Sequence, residues 1–227
     1  GGPNFILNNP KTGQPEGPRT FQSDSLRSYE LGYKAETPHQ RFGIDADVYY
    51  IVWNNIQTTT ILPNSEPAIV NAPGGAISEG AELTANARPL PPLIVIASLA
   101  ATHAYFRQAV PALPAKAGDT LPNAPRFSGA ISADYTFHPL GRSASTGFTV
   151  RYVDARTSGF GSSLWALPPY TTVDLRAGLN IGSTSLQLYA HNVFNARGQQ
   201  SVNTGFGYPQ VTILQPRTVG ISARVYF

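Results

Sequence analysis

The chain of 227 residues contains 4 histidines, 13 acidic side chains and no cysteine, and these set the limits on the chemistry it can carry. Without a thiol there is no disulfide, no cysteine nucleophile and no sulfur-ligated metal. His39, His103, His138 and His191 lie on four separate segments. No two have the His-x-x-Glu-His or His-x-x-x-His spacing that turns a pair of imidazoles toward one ion, so no metal site is expected. His39 and His138 stand in short turn sequences beside prolines, where a solvated imidazole is the simpler reading. Ser78 precedes Gly80 but lacks a glycine two positions before it, so the nucleophile elbow is incomplete. Gly159-Phe160-Gly161 lacks the third glycine and following helix of a dinucleotide loop and reads as a flexible loop tip. Asp45 and Asp47 are two apart, hence on one face of a strand, as carboxylates sharing acid–base work would be. The competing reading, polar-face residues balanced by nearby arginines, is preferred. The inventory predicts no catalytic residues, no cofactor and no enzyme.

The elements that must position these side chains are strands. Alternation of apolar and polar residues, the period of a pleated strand with two different faces, recurs nine times, at about 28–36, 40–53, 76–87, 93–106, 126–137, 145–154, 170–180, 184–192 and 217–227. The last is the cleanest, with Val219, Ile221, Ala223, Val225 and Phe227 opposing Thr218, Gly220, Ser222, Arg224 and Tyr226. Gly (21) and Pro (20) supply turns, and Tyr (11) and Phe (11) favour strands over helices. Only 13% of residues are charged, about half of the ~25% usual for a soluble domain. The net charge of +3 is not concentrated in any Lys/Arg cluster, which excludes an electrostatic footprint for nucleic acid. The longest apolar run, 90–101, holds two prolines and falls short of the ~20 residues of a spanning helix.

Connections sort by length. Short ones, at about 37–40, 88–92, 138–144 and 180–183, alternate with long ones at 54–75, 107–126, 155–169 and 193–217, after a long lead-in at 1–27. Short turns at one end and long loops at the other are the layout of a membrane β-barrel, whose apolar face meets lipid and whose polar face lines a lumen. On this reading Glu30, Lys34, Asp45, Asp47, Asp134, Arg151, Arg176 and Arg224 point inward. The alternative is a soluble sheet with one solvated face. Nine is an odd number for a single-chain bacterial barrel, and the chain starts at Gly1 without methionine, so the expectation is the C-terminal part of a larger barrel.

Several strings in chain order resemble the TonB-dependent outer-membrane receptors. Ser23-Asp24-Ser25-Leu26-Arg27-Ser28-Tyr29-Glu30-Leu31-Gly32-Tyr33-Lys34 is similar to the family's "dSLxSYElGxK" strand, and Val48-Tyr49-Tyr50-Ile51-Val52-Trp53-Asn54-Asn55-Ile56-Gln57 to its "xYYIDWxdIQ", with Val52 for the usual Asp. Asn71, Gly75-Ala76, Gly80, Glu82 and Leu83 follow a further family pattern. Leu121-Pro122-Asn123-Ala124-Pro125 resembles its "LPnvP", Asn192-Val193-Phe194-Asn195 its "NLfD", and Pro216-Arg217-Thr218 with terminal Phe227 its "PRt…F" ending. The likeness spans roughly 23–227, while residues 1–22 match nothing specific.

The resemblance implies an all-β antiparallel meander of about nine strands, residues 1–227 being the C-terminal portion of a transmembrane barrel without plug domain or TonB box. It implies residence in the bacterial outer membrane, short turns in the periplasm and long loops outside. The function implied is energised uptake of a bulky nutrient, a ferric siderophore being the commonest. The partners implied are the TonB complex acting through the plug, outer-membrane lipid, and the barrel assembly machinery reading a terminal signal at Phe227. Of the aromatics near the outer end, Tyr50, Tyr105 and Tyr170 are expected in the interfacial girdle. Trp165, Phe206 and Tyr208 lie within long loops and are the ligand-contact candidates. The competing functions are a plugless porin-like barrel for passive diffusion and a soluble β-sheet binding or adhesion module.

Overall fold

The computed structural model describes residues 1–62, 64, 66–161, 164–203 and 208–226. Nine long strands dominate it: β1 (Ser25–Glu36), β2 (Phe42–Asn54), β3 (Ala76–Leu90), β4 (Leu93–Phe106), β5 (Phe127–Phe137), β6 (Ala144–Val153), β7 (Tyr170–Ile181), β8 (Thr184–His191) and β9 (Thr218–Val225). Each pairs antiparallel with the next in chain order, giving a single meander sheet with β1 and β9 at its edges. The short turns lie at one end, hereafter the turn end, and the long connections at the other, the loop end.

Local chemistry accounts for the turns. Between β7 and β8, Gly182 takes a φ of +58°, a conformation that L side chains rarely adopt, and this lets Ile181 pair directly with Thr184. Between β3 and β4 the turn is tighter than the alternation suggests. Arg88, Pro89 and Leu90 stay in β3 because a bulge between Ala87 and Leu90 accommodates the proline, which cannot donate to a ladder, and Pro91-Pro92 alone reverses the chain.

Register sorts the side chains into two faces. Residues directly opposite share a face, and the row Lys34, Asp45, Thr84, Ser98, Ala130, Arg151, Thr172 runs across seven strands. A row on the other face, three rungs toward the loop end, reads Leu31, Val48, Ala81, Ala101, Phe127. This apolar face is uncovered: Leu31 is 74% exposed and Ile221 66%. Aromatic rings band it at both ends, Phe127 with Tyr152 at 6.1 Å near the loops and Tyr135 with Phe137 at 6.0 Å near the turns. Phe127 and Phe137 are separated by about 33 Å along the strand, or roughly 25 Å once a barrel tilt of about 40° is applied, the height of an outer-membrane apolar band.

The buried core is not between sheet layers. It sits among the loops, where Ile56, Ala72, Ala76, Phe106, Val110 and Ala115 cluster and Trp53, Leu113, Leu121 and Phe160 pack against them.

Candidate functional site

Two regions carry the polar chemistry: the polar face of β5–β8 and the cap of loops above it. On the polar face Arg176 reaches across β6 to Asp134, donating from Nε to Oδ1 at 2.7 Å and from Nη2 to Oδ2, while its Nη1 donates to Thr149 at 2.9 Å. The strand between them presents Gly147, paired with both Asp134 and Arg176. A Cβ there would come within 3.0 Å of Arg176 Nε and press on the Asp134 carboxylate, so only glycine leaves room for the ion pair. The same device recurs at Gly80, over which the Tyr49 ring lies on its way to Thr102, 2.9 Å from the tyrosine hydroxyl.

A second carboxylate, Asp174, accepts from Arg151 Nη1 at 2.6 Å and from the Asn192 backbone N–H at 2.9 Å, with His191 Nδ1 at 3.5 Å. Asn192 is a junction in its own right. Its backbone adopts a φ of +50°, its Nδ2 donates to the carbonyls of Ala196 and Gln215 at 2.9 Å each, and its Oδ1 accepts from Ala196 N–H at 2.8 Å. That one buried amide thus ties the end of β8 to the approach of β9.

The residues singled out on the polar face all share it by register: Glu30, Asp45 and Asp47 on β1 and β2, Arg151 and Arg176 on β6 and β7, Arg224 opposite Ser185 on β9. They do not converge on one point. Asp45 is balanced by Lys34 at 2.8 Å rather than by an arginine, and Glu30 accepts from Ser28 at 2.7 Å. Among the histidines, His103 faces Glu79 at 3.3 Å and stacks on Tyr105 at 4.5 Å on the apolar face. No group of three or more metal-ligating side chains occurs among the described residues.

Aromatic placement departs from expectation at one position. Tyr50 and Tyr105 lie on the apolar face, but Tyr170 pairs with Val153 and so falls on the polar face, where its ring packs over Gly198. Tyr170 shares its parity with Asp174 and Arg176, so the alternation itself sets it on the polar face; the girdle expectation followed its place near the loop end and not the face it takes.

The long loops are built, not slack. Asn4 holds the lead-in to the hairpin Ile56–Ile61/Pro67–Ala72 through both its amide atoms, donating to Ile69 O at 2.7 Å and accepting from Ile69 N at 2.9 Å. Thr60 bonds to Ala112 O at 2.6 Å, and Asn123 N–H to Thr157 O at 2.7 Å. Phe160, expected at a flexible tip, instead packs 5.4 Å from Phe106 because its ring completes the loop core. The hairpin Arg156–Ser158/Trp165–Leu167 then joins the hairpin Gln199–Asn203/Gln210–Ile213. Arg156 Nη2 donates to Gln199 O and Gln200 O at 2.9 and 3.1 Å, and Trp165 Nε1 to Gln199 Oε1 at 3.2 Å. Trp165 is therefore half-buried as a strut, whereas Tyr208 is 62% exposed. Phe206 and Phe227 lie outside the described residues. Sequence reasoning missed the linking role of Asn4, Asn192 and Arg156, since isolated polar residues in loops carry no periodic signal.

Comparison with known proteins gives a consistent result. A family model described as TonB dependent receptor-like, β-barrel, matches residues 3–196. The metal-pseudopaline receptor CntO of Pseudomonas aeruginosa is 28% identical over 191 residues, which are 83% of this chain and 26% of that protein. The chain thus spans about a quarter of that curated relative. Among solved structures, the ferric yersiniabactin uptake receptor FyuA from Yersinia pestis superposes with a TM-score of 0.77 at 20% identity, over 99% of this chain and 33% of that one. The ferric-catecholate import receptor Fiu from E. coli K12, in its closed form, superposes with a TM-score of 0.69 at 19% identity, over 91% and 28%.

Proposed function

The chain belongs to the TonB-dependent receptor β-barrel family, and on that premise we propose that it forms the loop-bearing C-terminal wall of an outer-membrane receptor that imports a metal–chelator complex. The observation that carries this reading is the division of labour in the fold: an exposed apolar face banded by aromatics, a polar face tied by ion pairs, and a packed cap of loops at one end only. The apolar face meets lipid, the polar face lines the lumen, the turn end is periplasmic and the loop end extracellular. A soluble module would have to leave that face in water, against the usual limit of a few hundred Å² for a contiguous apolar patch.

In this reading Glu30, Asp45, Asp47, Arg151, Arg176 and Arg224 line the lumen. Trp165 shapes the cap from within, and Tyr208 and Phe206 remain the candidates for direct ligand contact. Transport is energised through TonB acting on a plug domain, and Phe227 with its strand serves assembly. The names of the relatives support this reading: CntO is a metal-pseudopaline receptor, FyuA a ferric yersiniabactin uptake receptor and Fiu a ferric-catecholate import receptor. For this chain the cargo is a metal held by a small organic chelator, with iron the first metal to test.

The test is uptake of radiolabelled iron, supplied with a panel of chelators, by cells with and without the full-length gene and with and without TonB. Uptake that needs both is the expected result. Uptake that continues without TonB, or ion conductance by the purified protein in planar bilayers, would replace this reading with a passive pore.

A further inference from the structure

Where the two C-terminal loop hairpins meet, three arginines line adjoining recesses. One recess, of about 350 Å³, is lined by Arg126, Arg156, Thr120, Thr157 and Leu167 among others. Its neighbour, of about 320 Å³, is lined by Tyr170, Arg197 and Gln199, and Pro168 belongs to both. Arg156 stands between the two. Its guanidinium lies 5.6 Å from the centre of the Tyr170 ring, and Nη2 is committed to two backbone carbonyls. Its Nη1 is buried and makes no hydrogen bond to the protein among the described residues. A buried charged donor is costly to leave unpaired, so an acceptor that reaches this nitrogen is favoured. Neither Arg126 nor Arg197 has a side-chain ion pair or hydrogen bond among the described residues, and the nearby Asp154 accepts from Tyr152 and from the Ala155 N–H through Oδ1.

Resting on the receptor reading above, we infer that this junction is an oxyanion subsite that takes a carboxylate arm of the imported metal chelate. The planar fork of a guanidinium matches the two oxygens of a carboxylate, and the aromatic face of Tyr170 fixes the plane of Arg156. Each recess is sized for one arm of a chelate rather than for the whole complex. The metal stays with the chelator, and the protein contributes only charge and direction.

The experiment is calorimetric titration of the full-length receptor in detergent with ferric citrate and with ferric and nickel aminopolycarboxylates. An uncharged ferric trihydroxamate and inorganic phosphate serve as comparisons. Two variants are used: Arg126→Gln/Arg197→Gln, which removes charges that hold no structural contact, and Arg156→Lys, which keeps the charge but loses the fork. Expected is a loss of affinity for a carboxylate chelate on the order of tenfold or more in the double variant, steepening at low salt, with the trihydroxamate unaffected. Affinity within about twofold of the unaltered protein in both variants overturns the inference. So does failure of every carboxylate chelate to bind the unaltered receptor, or phosphate competing as well as the chelates. Energised uptake confined to uncharged chelates would sink this subsite and spare the transport reading. Arginine-dependent binding without energised uptake would do the reverse.

Discussion

Replacing Gly147 by alanine probes whether the absence of a side chain on β6 is what admits the Arg176–Asp134 pair. The new Cβ would stand 2.7 Å from the Ala133 carbonyl oxygen and 3.0 Å from Arg176 Nε, while pressing on Asp134 Oδ1. The carboxylate must move, and its two charge-assisted bonds go with it. Such bonds are worth about 1.5–3 kcal/mol each when fully buried. Here the Arg176 and Asp134 side chains are 30% and 44% exposed, so screening brings the pair to about 1–2 kcal/mol. Crowding against the Ala133 backbone adds about 1 kcal/mol. Gly147→Ala is therefore expected to cost about 2–3 kcal/mol and Asp134→Ala about 1–2 kcal/mol. A pair cannot be lost twice, so the double variant should fall short of additivity by about 1 kcal/mol. Equilibrium urea unfolding of the full-length protein in micelles, read by tryptophan fluorescence and by the fast-migrating unboiled band on gels, measures all three. Costs that add to within about 0.3 kcal/mol would refute the reasoning, because the glycine would then serve the backbone alone.

Three other perturbations separate the roles assigned above. Asn192→Ala removes three hydrogen bonds from a buried amide and should cost about 3 kcal/mol, with protease cleavage appearing first in the segment between β8 and β9; unchanged protease resistance would deny Asn192 its linking role. Ile221→Arg puts a charge on the apolar face and should lower stability in a bilayer by about 2–4 kcal/mol, whereas Ser222→Arg, one residue along on the polar face, should change it by less than about 1 kcal/mol. Equal effects of the two in refolding into lipid vesicles would contradict the assignment of faces. Asp24→Ala strips the acceptor from Trp53 Nε1, now at 2.8 Å, and from Gln57. It should loosen the lead-in by about 1 kcal/mol, visible as faster hydrogen exchange over residues 1–24 and nowhere on β5–β9.

The nine strands, their order and their two faces were legible because a strand writes its exposure into every second residue, and because turn chemistry such as Gly182 and Pro91-Pro92 marks where the chain reverses. The family was legible from strings such as Ser25-Leu26-Arg27-Ser28-Tyr29-Glu30-Leu31. At Tyr170 the period of Val173, Asp174, Leu175 and Arg176 already sets the ring on the polar face, and a position near the loop end was no guide to membership of the girdle. Loops have no period at all. That Phe160 completes a core, that Trp165 braces one hairpin on another, and that Arg156 Nη2 bonds to Gln199 while its Nη1 stays buried without a partner among the described residues depend on residues 34 to 54 positions apart meeting in space. Such meetings follow from the register of the whole sheet, which brings the loop ends of β4, β6 and β8 together. Local composition determined the strands and their two faces; the packing of the loop cap was decided by tertiary structure.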